Sequence, residues 1–363
     1  MLQSERKEVK LGRMLLAGVA AVTLLTAAMP AGPVVVSGRC NGCKDVPFEL
    51  GDIHFVTEQE GWSSAYSWPS DNGSGLATFL RTTDGGRHWR RLPFVWQQGA
   101  ESGPPYSFVG KRGWLAWYDG DKFEHRFSRT NDGGRTWKHR PSPSLSDLGF
   151  FDDRDGYSVE AGNDDWYFRI THDGGETWSK ERLPVSSVGI VSFADRNRGI
   201  LIGADQVPHG APVWNGVLRV LVTSDGGAHW TRAQMPERPY ADPHTCTWVD
   251  SRTAFLALWG MNDTGTELLQ TTDGGQSWTR HPDASLQGTA KYISAISIAP
   301  DGRGYLFFEH KKNRYIATTT DRGATWKSAP FPYRVSSCQL FNGQVLCSSG
   351  MKIVKLNLPA TPD

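Results

Sequence analysis

Six aspartates recur at matched positions along the chain, and paired carboxylates can act as general acid and base, for example in glycoside hydrolysis. They are Asp84, Asp132, Asp173, Asp225, Asp273 and Asp321. Each lies in a short segment such as TTDGGRHW or TNDGGRTW, which ends in tryptophan. Such a segment is typical of a hairpin turn, in which the carboxylate accepts turn amides and a glycine permits a positive φ. We therefore expect all six aspartates to be structural rather than catalytic.

The spacing of these turns predicts the fold that positions them. Successive aspartates are 48, 41, 52, 48 and 48 residues apart, and strand-like stretches fill each interval. A period in the forties with four strands per unit is the signature of propeller blades. We predict an all-β protein with a single β-propeller of four-stranded antiparallel blades over residues 52–358.

The two ends of the propeller decide the number of blades. After Pro332, the stretches SCQLF, QVLCSS and KIVKLNL supply three strands without an aspartate turn. The stretch PVVVS at 33–37 could add the missing outer strand and so remove an exposed sheet edge. Seven blades are favoured, namely six with aspartate turns and one completed by an N-terminal strand. Six blades are the alternative.

The repeated turn resembles the Asp box, or BNR repeat, of sialidases, sortilin-type receptors, xyloglucanases and the photosystem II assembly and stability factor. His88 and His229 replace its hydroxyl residue in two copies, and Arg322 replaces its first glycine in the last. The resemblance implies that each box joins the third and fourth strands of a blade, on the face opposite the ligand pocket. Besides the aspartates, the structural box residues are then Gly86, Trp89, Gly134, Trp137, Gly175, Trp178, Gly227, Trp230, Gly275, Trp278, Gly323 and Trp326.

The face opposite the boxes is where binding residues are expected. Its predicted loops are long, polar and aromatic, and rings beside carboxylates suit sugars or peptides. The ligand-binding candidates are Trp68, Trp96, Tyr118, Asp119, Asp164, Asp165, Trp166, Trp214 and Tyr240. Packing of these rings between loops is the alternative interpretation. The segment EHKKNR at 309–314 could meet an anionic group, although charged hairpin tips are commonly just solvated.

Composition and motifs limit the kinds of partner and of catalytic or metal site that the protein can have. The net charge is +1, from 39 basic and 38 acidic residues, so no global field favours nucleic acid or an anionic membrane. His209, His244 and His310 have no companion at metal-ligand spacing, and no GxSxG, HExxH or P-loop motif is present. We expect a monomer without metal or cofactor.

The N-terminus predicts export. A basic leader precedes the apolar run from Met14 to Ala28, which is typical of a signal peptide over residues 1–28. A segment at 29–51 then carries the closing strand and the motif CNGC, and residues 359–363 form a C-terminal tail. The protein would be periplasmic or extracellular. An uncleaved membrane anchor is the alternative, and only then would the chain contact a membrane.

Disulfides are expected in an exported chain. In CQLFNGQVLC, the two-residue turn Asn342 and Gly343 places Cys338 directly opposite Cys347. Cys40 and Cys43 could also pair, which leaves Cys246 over.

Two hypotheses of function follow. The first is an exported, non-enzymatic propeller that binds a protein, peptide or glycan on the face opposite the boxes, as an assembly or stability factor for an envelope complex. The alternative is a glycoside hydrolase of sialidase-like architecture that uses carboxylates on that face. Sialidases use a set of arginine, tyrosine and aspartate residues, and their first arginine lies in an Arg-Ile-Pro stretch before the first box. Here Arg169 and Ile170 are followed by Thr171 and lie inside a boxed strand, so this set has no match.

Overall fold

Each repeat unit of the sequence forms one antiparallel sheet, as predicted. In this computed structural model the described residues are 33–41, 48–67, 76–97, 104–119, 122–162, 165–205, 216–236, 241–260, 266–282 and 292–360. They contain 29 strands and no α-helix. No helix in this part of the chain is therefore long or apolar enough to cross a membrane. The predicted signal peptide lies outside the described residues.

The first three blades show the recurrent arrangement of four consecutive strands. Blade 1 contains β3 (Glu49–Phe55), β4 (Gly61–Ser67), β5 (Leu76–Thr82) and β6 (His88–Gln97). Blade 2 contains β7 (Tyr106–Val109), β8 (Arg112–Asp119), β9 (Glu124–Thr130) and β10 (Lys138–Pro141). Blade 3 contains β11 (Leu145–Phe150), β12 (Gly156–Ala161), β13 (Trp166–Thr171) and β14 (Ser179–Arg182).

Blades 4 to 6 repeat this order. Blade 4 contains β15 (Ser187–Phe193), β16 (Gly199–Asp205), β17 (Val217–Thr223) and β18 (Thr231–Arg232). Blade 5 contains β19 (Ala241–Trp248), β20 (Ala254–Gly260), β21 (Thr266–Thr271) and β22 (Thr279–Arg280). Blade 6 contains β23 (Tyr292–Ile298), β24 (Gly304–His310), β25 (Asn313–Thr319) and β26 (Lys327–Pro330).

Blade 7 joins the two ends of the chain. It contains β27 (Ser337–Phe341), β28 (Gln344–Ser349), β29 (Lys352–Asn357) and, as its outer strand, β1 (Val34–Ser37). Strand β1 runs antiparallel to β29, from the pair Val34 and Lys355 to the pair Ser37 and Lys352. The prediction of seven blades with an N-terminal closing strand is confirmed.

The N-terminal segment also covers the edge of blade 1. After Gly38, strand β2 (Arg39–Asn41) pairs in parallel with β6 and becomes the fifth strand of that sheet. The amide of Gly38 donates to the carbonyl of Met351 in blade 7, and the amide of Arg39 donates to that of Arg87 in blade 1. One short segment thus bonds the outer edges of two neighbouring blades, which protects both from edge-to-edge association.

The hydrophobic core is divided among the blade interfaces. Seven clusters of buried side chains each combine residues of two adjacent blades, including blades 7 and 1. Between blades 1 and 2, the rings of Trp62 and Phe108 stack with centroids 3.9 Å apart. Trp114 and Phe150 repeat this contact between blades 2 and 3, at 3.7 Å. Burial of these rings against the next blade supplies the main force that closes the propeller.

Candidate functional site

The box carboxylates are fully engaged by their own turns. In blade 2, Asp132 accepts the hydroxyl of Thr130 at 2.8 Å, the amides of Arg135 and Thr136 at 2.9 Å, and the hydroxyl of Thr136 at 2.7 Å. The amide and hydroxyl of Thr136 hold the pKa of Asp132 well below its usual range. A carboxylate with these acceptor sites filled and a depressed pKa is a poor general acid or base.

The other boxes repeat this arrangement between the third and fourth strands of each blade. The hydroxyl and amide of Thr177 lower the pKa of Asp173 to about 2. In the two boxes that carry histidine, the Nδ1 atoms of His88 and His229 lie 2.6 and 2.7 Å from the outer carboxylate oxygen, in place of the hydroxyl. Within the described ranges, the indole nitrogens of Trp89 and Trp230 in these same boxes have no hydrogen-bond partner, whereas those of Trp137, Trp178, Trp278 and Trp326 donate to a box glycine.

Each box also locks its blade to the preceding one. All six box tryptophans pack in the cluster between their own blade and the blade before it. The second box glycine faces that neighbour, and a Cβ at Gly323 would lie only 2.6 Å from the ring of Phe255. Gly323 has a φ of 86°, so both backbone conformation and close approach require glycine there.

Ion pairs between blades run across the box face. Arg112 of blade 2 pairs with Asp153 of blade 3. Arg196 of blade 4 pairs with Asp152 and Asp155 of blade 3. Arg129 and Glu176 connect blades 2 and 3 at 2.8 Å, and Arg322 and Asp250 connect blades 6 and 5. Many charges of this face are therefore satisfied within the propeller.

The opposite face presents exposed aromatic side chains. Among the described residues, four large hydrophobic side chains are exposed, namely Val34, Tyr118, Phe123 and Trp259. Tyr118 and Phe123 flank the connection between the second and third strands of blade 2, and Trp259 precedes the same connection in blade 5. Because strands alternate in direction, these connections lie away from the boxes.

The predicted binding residues that can be placed lie on this face, in two separate blades. Tyr118 is 36% exposed and contacts the ring of His125, and Asp119 lies 3.7 Å from Arg126. Residues Asp165 and Trp166 begin the third strand of blade 3. Among the described residues, no hydrogen bond, ion pair or ring contact joins Tyr118 and Asp119 of blade 2 to Asp165 and Trp166 of blade 3.

Asp165 and Trp166 of blade 3 both contact other residues of the propeller. Asp165 accepts both Nε and Nη2 of Arg182, at 2.9 and 2.5 Å. The indole of Trp166 donates to the carbonyl of Ser186 at 3.1 Å and packs against the core between blades 3 and 4. Of the other candidates, Trp68, Asp164, Trp214 and Tyr240 lie outside the described residues, and Trp96 lies in β6 without a described side chain.

A cavity that the sequence did not single out lies where blade 6 meets the start of blade 7. It encloses about 830 Å³ and is lined by residues that include Tyr292, Glu309, Arg314, Tyr315, Tyr333 and Arg334. Nε of Arg314 lies 2.8 Å from a carboxylate oxygen of Glu309. These two residues are the first and last of the charged segment EHKKNR. That segment is the feature of the sequence that could have indicated a binding site here.

An aromatic cluster adjoins the cavity through Tyr292. The rings of His244 and Tyr292 meet edge-on with centroids 4.4 Å apart, and Trp259, which is 42% exposed, lies 6.3 Å from Tyr292. Burial lowers the pKa of His244 and raises that of Asp242, although the opposite charge of each partner works against the shift. Burial, with the charges of Asp242 and Glu309, raises the pKa of Tyr292, so its phenol stays protonated.

Two aspartates on inner strands have raised pKa values. Burial raises the pKa of Asp147 in β11 to about 6, against hydrogen bonds from the amides of Leu148 and Val191. The side chain of Asp52 in β3 keeps contact with solvent, yet the protein packed around it raises its pKa, and a hydrogen bond with Ser337 opposes this shift. A carboxyl group with a pKa of about 6, as in Asp147, can serve as a proton donor near neutral pH. Within the described residues, no three His, Cys, Asp or Glu side chains converge as metal ligands would.

Comparison with known proteins agrees with the geometry of the boxes. The family model described as BNR/Asp-box repeat matches residues 169–180, which contain the third box. No curated protein matches the sequence.

The fold resembles several solved structures. YCF48 bound to a D1 peptide has a TM-score of 0.61 at 13% identity, over 91% of this chain and 98% of that one. YCF48 from Cyanidioschyzon merolae has a TM-score of 0.59 at 14% identity, over 90% and 99%. The GH74 xyloglucanase from Xanthomonas campestris has a TM-score of 0.55 at 12% identity, and this chain spans 52% of its length. The chain is thus a seven-bladed propeller built with Asp-box repeats.

Proposed function

We propose that this seven-bladed Asp-box propeller is an exported, non-enzymatic protein that binds a protein or peptide on the face opposite the boxes. In that role it would act as an assembly or stability factor for an envelope complex. The observation that carries the proposal is the contrast between the faces. The box face joins its charges in ion pairs between blades, whereas Tyr118, Phe123 and Trp259 are exposed on the other. Aromatic side chains are enriched among the residues that contribute most to protein binding, and their exposure on this face supports it as the binding surface.

The structural comparison supports a peptide or protein as the partner. YCF48, whose single propeller this chain matches over nearly its whole length, has been solved with a D1 peptide bound. The xyloglucanase is about twice as long as the part that this chain matches. A match to about half of the xyloglucanase, against nearly the whole of YCF48, supports binding over hydrolysis for this chain.

Export is part of the proposal and rests on the basic leader and the apolar run from Met14 to Ala28. The disulfide between Cys338 and Cys347 supports an oxidising compartment. N-terminal sequencing of the protein recovered from an envelope or culture fraction tests this part. A mature chain that begins near Met29 is expected. An intact leader on protein from the envelope would indicate the uncleaved anchor instead, and absence of the protein from both fractions would contradict export.

The experiment for binding compares two variants of equal stability. Combined replacement of Tyr118 and Trp259 by alanine removes exposed aromatic surface from the proposed face, and Arg135→Ala changes an exposed box-face residue as the control. Pull-down from an envelope extract should lose its partner with the first variant only. The same pull-down pattern for both variants would contradict the proposal, and retention on an array of glycans without a protein partner would identify a glycan instead.

The second candidate is a glycoside hydrolase, and the raised pKa values of Asp147 and Asp52 favour it. A hydrolase would use one protonated carboxyl group as its acid and a second as base or nucleophile. A panel of chromogenic glycosides, assayed with the unmodified protein and with Asp147→Asn and Asp52→Asn, separates the two functions. If the unmodified protein hydrolyses a glycoside and either substitution abolishes this activity, the protein is a hydrolase and the binding proposal is wrong.

A further inference from the structure

The cavity between blades 6 and 7 contains one cation that forms no ion pair within the part of the chain that the structure describes. Its side chains include one negative group, Glu309, and two positive groups, Arg314 and Arg334. Glu309 pairs with Arg314, whereas Arg334 is exposed and forms no ion pair with any residue that the structure describes. One unit of positive charge therefore remains available inside a concave surface.

The backbone on both sides of Arg334 is anchored to blades 6 and 7. It follows the last strand of blade 6, between the buried Phe331 and Ser336, whose amides donate to the carbonyls of Arg314 and Ser348. The ring of Phe331 packs against Phe307 at 4.9 Å and against Tyr333 at 5.5 Å. The backbone that carries Arg334 is therefore anchored at both ends of this segment, at the edge of the cavity.

The rest of the lining suits a peptide. Tyr292, Tyr315 and Tyr333 contribute both apolar rings and hydroxyl groups, and Ser294 and Ser336 add small polar groups. A volume of about 830 Å³ accommodates several residues of an extended chain. The exposed ring of Trp259 continues this surface beyond Tyr292. Tyrosine and tryptophan beside arginine is the composition of strong protein-binding sites.

We propose that this cavity is a peptide-binding site that recognises an acidic side chain or a terminal carboxylate through Arg334. The planar guanidinium matches a carboxylate with two parallel hydrogen bonds, and a neutral sugar offers no such partner. Glu309 holds Arg314 and so limits the site to one carboxylate. The inference rests on the proposed function, because it specifies where the propeller binds and which chemical group it selects.

The test uses a random dodecapeptide library displayed on phage, selected against the intact exported protein. Enriched peptides are then synthesised with a fluorescent label, each with a counterpart in which every carboxylate is replaced by its amide. Binding is measured by anisotropy to the unmodified protein, to Arg334→Gln and to the matched control Arg135→Gln, which removes an exposed arginine from the box face.

We expect the enriched peptides to contain Asp or Glu, and their affinity to fall about tenfold with Arg334→Gln and not with Arg135→Gln. Arg334→Lys should retain part of the affinity. Glu309→Gln frees Arg314 and should tighten binding severalfold. The amide counterparts should bind the unmodified protein as weakly as the acidic peptides bind Arg334→Gln.

Three results would overturn the inference. Acidic peptides that bind Arg334→Gln with unchanged affinity would place the site elsewhere and leave the proposed function standing. Enrichment of peptides without carboxylates would show that Arg334 in the cavity does not select peptides by their carboxylate. Failure to enrich any peptide, together with no protein partner in the pull-down, would reject the inference and the proposed function together.

Discussion

The guanidinium of Arg322 contacts the carboxylate of Asp250, and this pair ties the sixth box to the preceding blade. Arg322 occupies the position that is glycine in the other boxes, at Gly85, Gly133, Gly174, Gly226 and Gly274. Its φ is 63°, in the left-handed region that costs an ordinary residue about 1 kcal/mol or more. The chain thus accepts local strain at a place where a long side chain can reach its neighbour.

The strain at Arg322 can be separated from its ion pair. Arg322→Gly and Arg322→Ala both remove the contact with Asp250, and only glycine relieves the positive φ. We expect the glycine variant to be more stable than the alanine variant by about 1 kcal/mol in chemical denaturation. Equal stabilities would show that the backbone there is unstrained. The ion pair itself, in a double-mutant cycle with Asp250→Ala, should contribute less than about 1 kcal/mol because it is largely exposed.

The box of blade 2 should contribute to stability without contributing to binding. Asp132→Ala removes the acceptor of two turn amides and two hydroxyls, and we expect a loss of about 1–3 kcal/mol in unfolding free energy. Partner capture by the folded variant should be unchanged. A variant of unchanged stability that no longer captures its partner would assign a functional role to the box.

Asp147 should make the stability depend on pH. Its pKa of about 6 in the folded protein lies above the usual 3.8 of the unfolded chain. The protonated form is therefore favoured by folding, and its contribution is present below pH 3.8 and lost as the pH rises through 6.

Asp147→Asn keeps the acceptor oxygen and cannot ionise. The variant should match the unmodified protein near pH 3.8 and exceed it by about 1–3 kcal/mol above pH 6, in denaturation measured across this range. A constant difference at all pH values would contradict the assignment. Asp52→Asn serves as a second position with a shift in the same direction.

The closing strand β1 should be required for stability at the position where Val36 packs against the core. Val36 packs against the cluster between blades 7 and 1, whereas Val34 is 62% exposed. Val36→Lys should lower the unfolding free energy by about 1–3 kcal/mol, and Val34→Lys should change it by less than about 0.5 kcal/mol. Similar thermal shifts for the two variants would indicate that β1 does not close the ring in solution.

The hairpin disulfide should form in the exported protein. Cys338 and Cys347 lie opposite each other with Cα atoms 4.1 Å apart, as the Asn342 and Gly343 turn predicts. Non-reducing peptide mapping should recover these cysteines in one linked pair. Replacement of both by alanine should cost about 2 kcal/mol, because the bridge restricts the unfolded chain. Free thiols at both positions would exclude the bridge.

The other three cysteines differ in their state. Cys40 is disulfide-bonded, Cys43 lies outside the described residues, and Cys246 is free.

The repeated and local parts of this protein could be predicted from its amino-acid sequence. Six boxes at a nearly constant period define six blades, because each blade is a meander whose turns lie close together in the chain. The register of Cys338 and Cys347 follows from a two-residue turn, which depends on neighbouring residues alone. The closing strand at Val34–Ser37 could be predicted because an incomplete last blade requires a fourth strand.

Only the tertiary structure decided which side chains of different blades meet. Tyr292, Arg314 and Arg334 share one cavity, and Arg322 reaches Asp250, although 72 positions separate that last pair. The fifth strand of blade 1 and the raised pKa of Asp147 likewise depend on a neighbouring segment or blade. Such contacts follow from the rotation between blades and the conformation of their connections. No local pattern of residues records that geometry, because each blade is encoded by its own stretch of sequence and the contacts between blades form only in the folded chain.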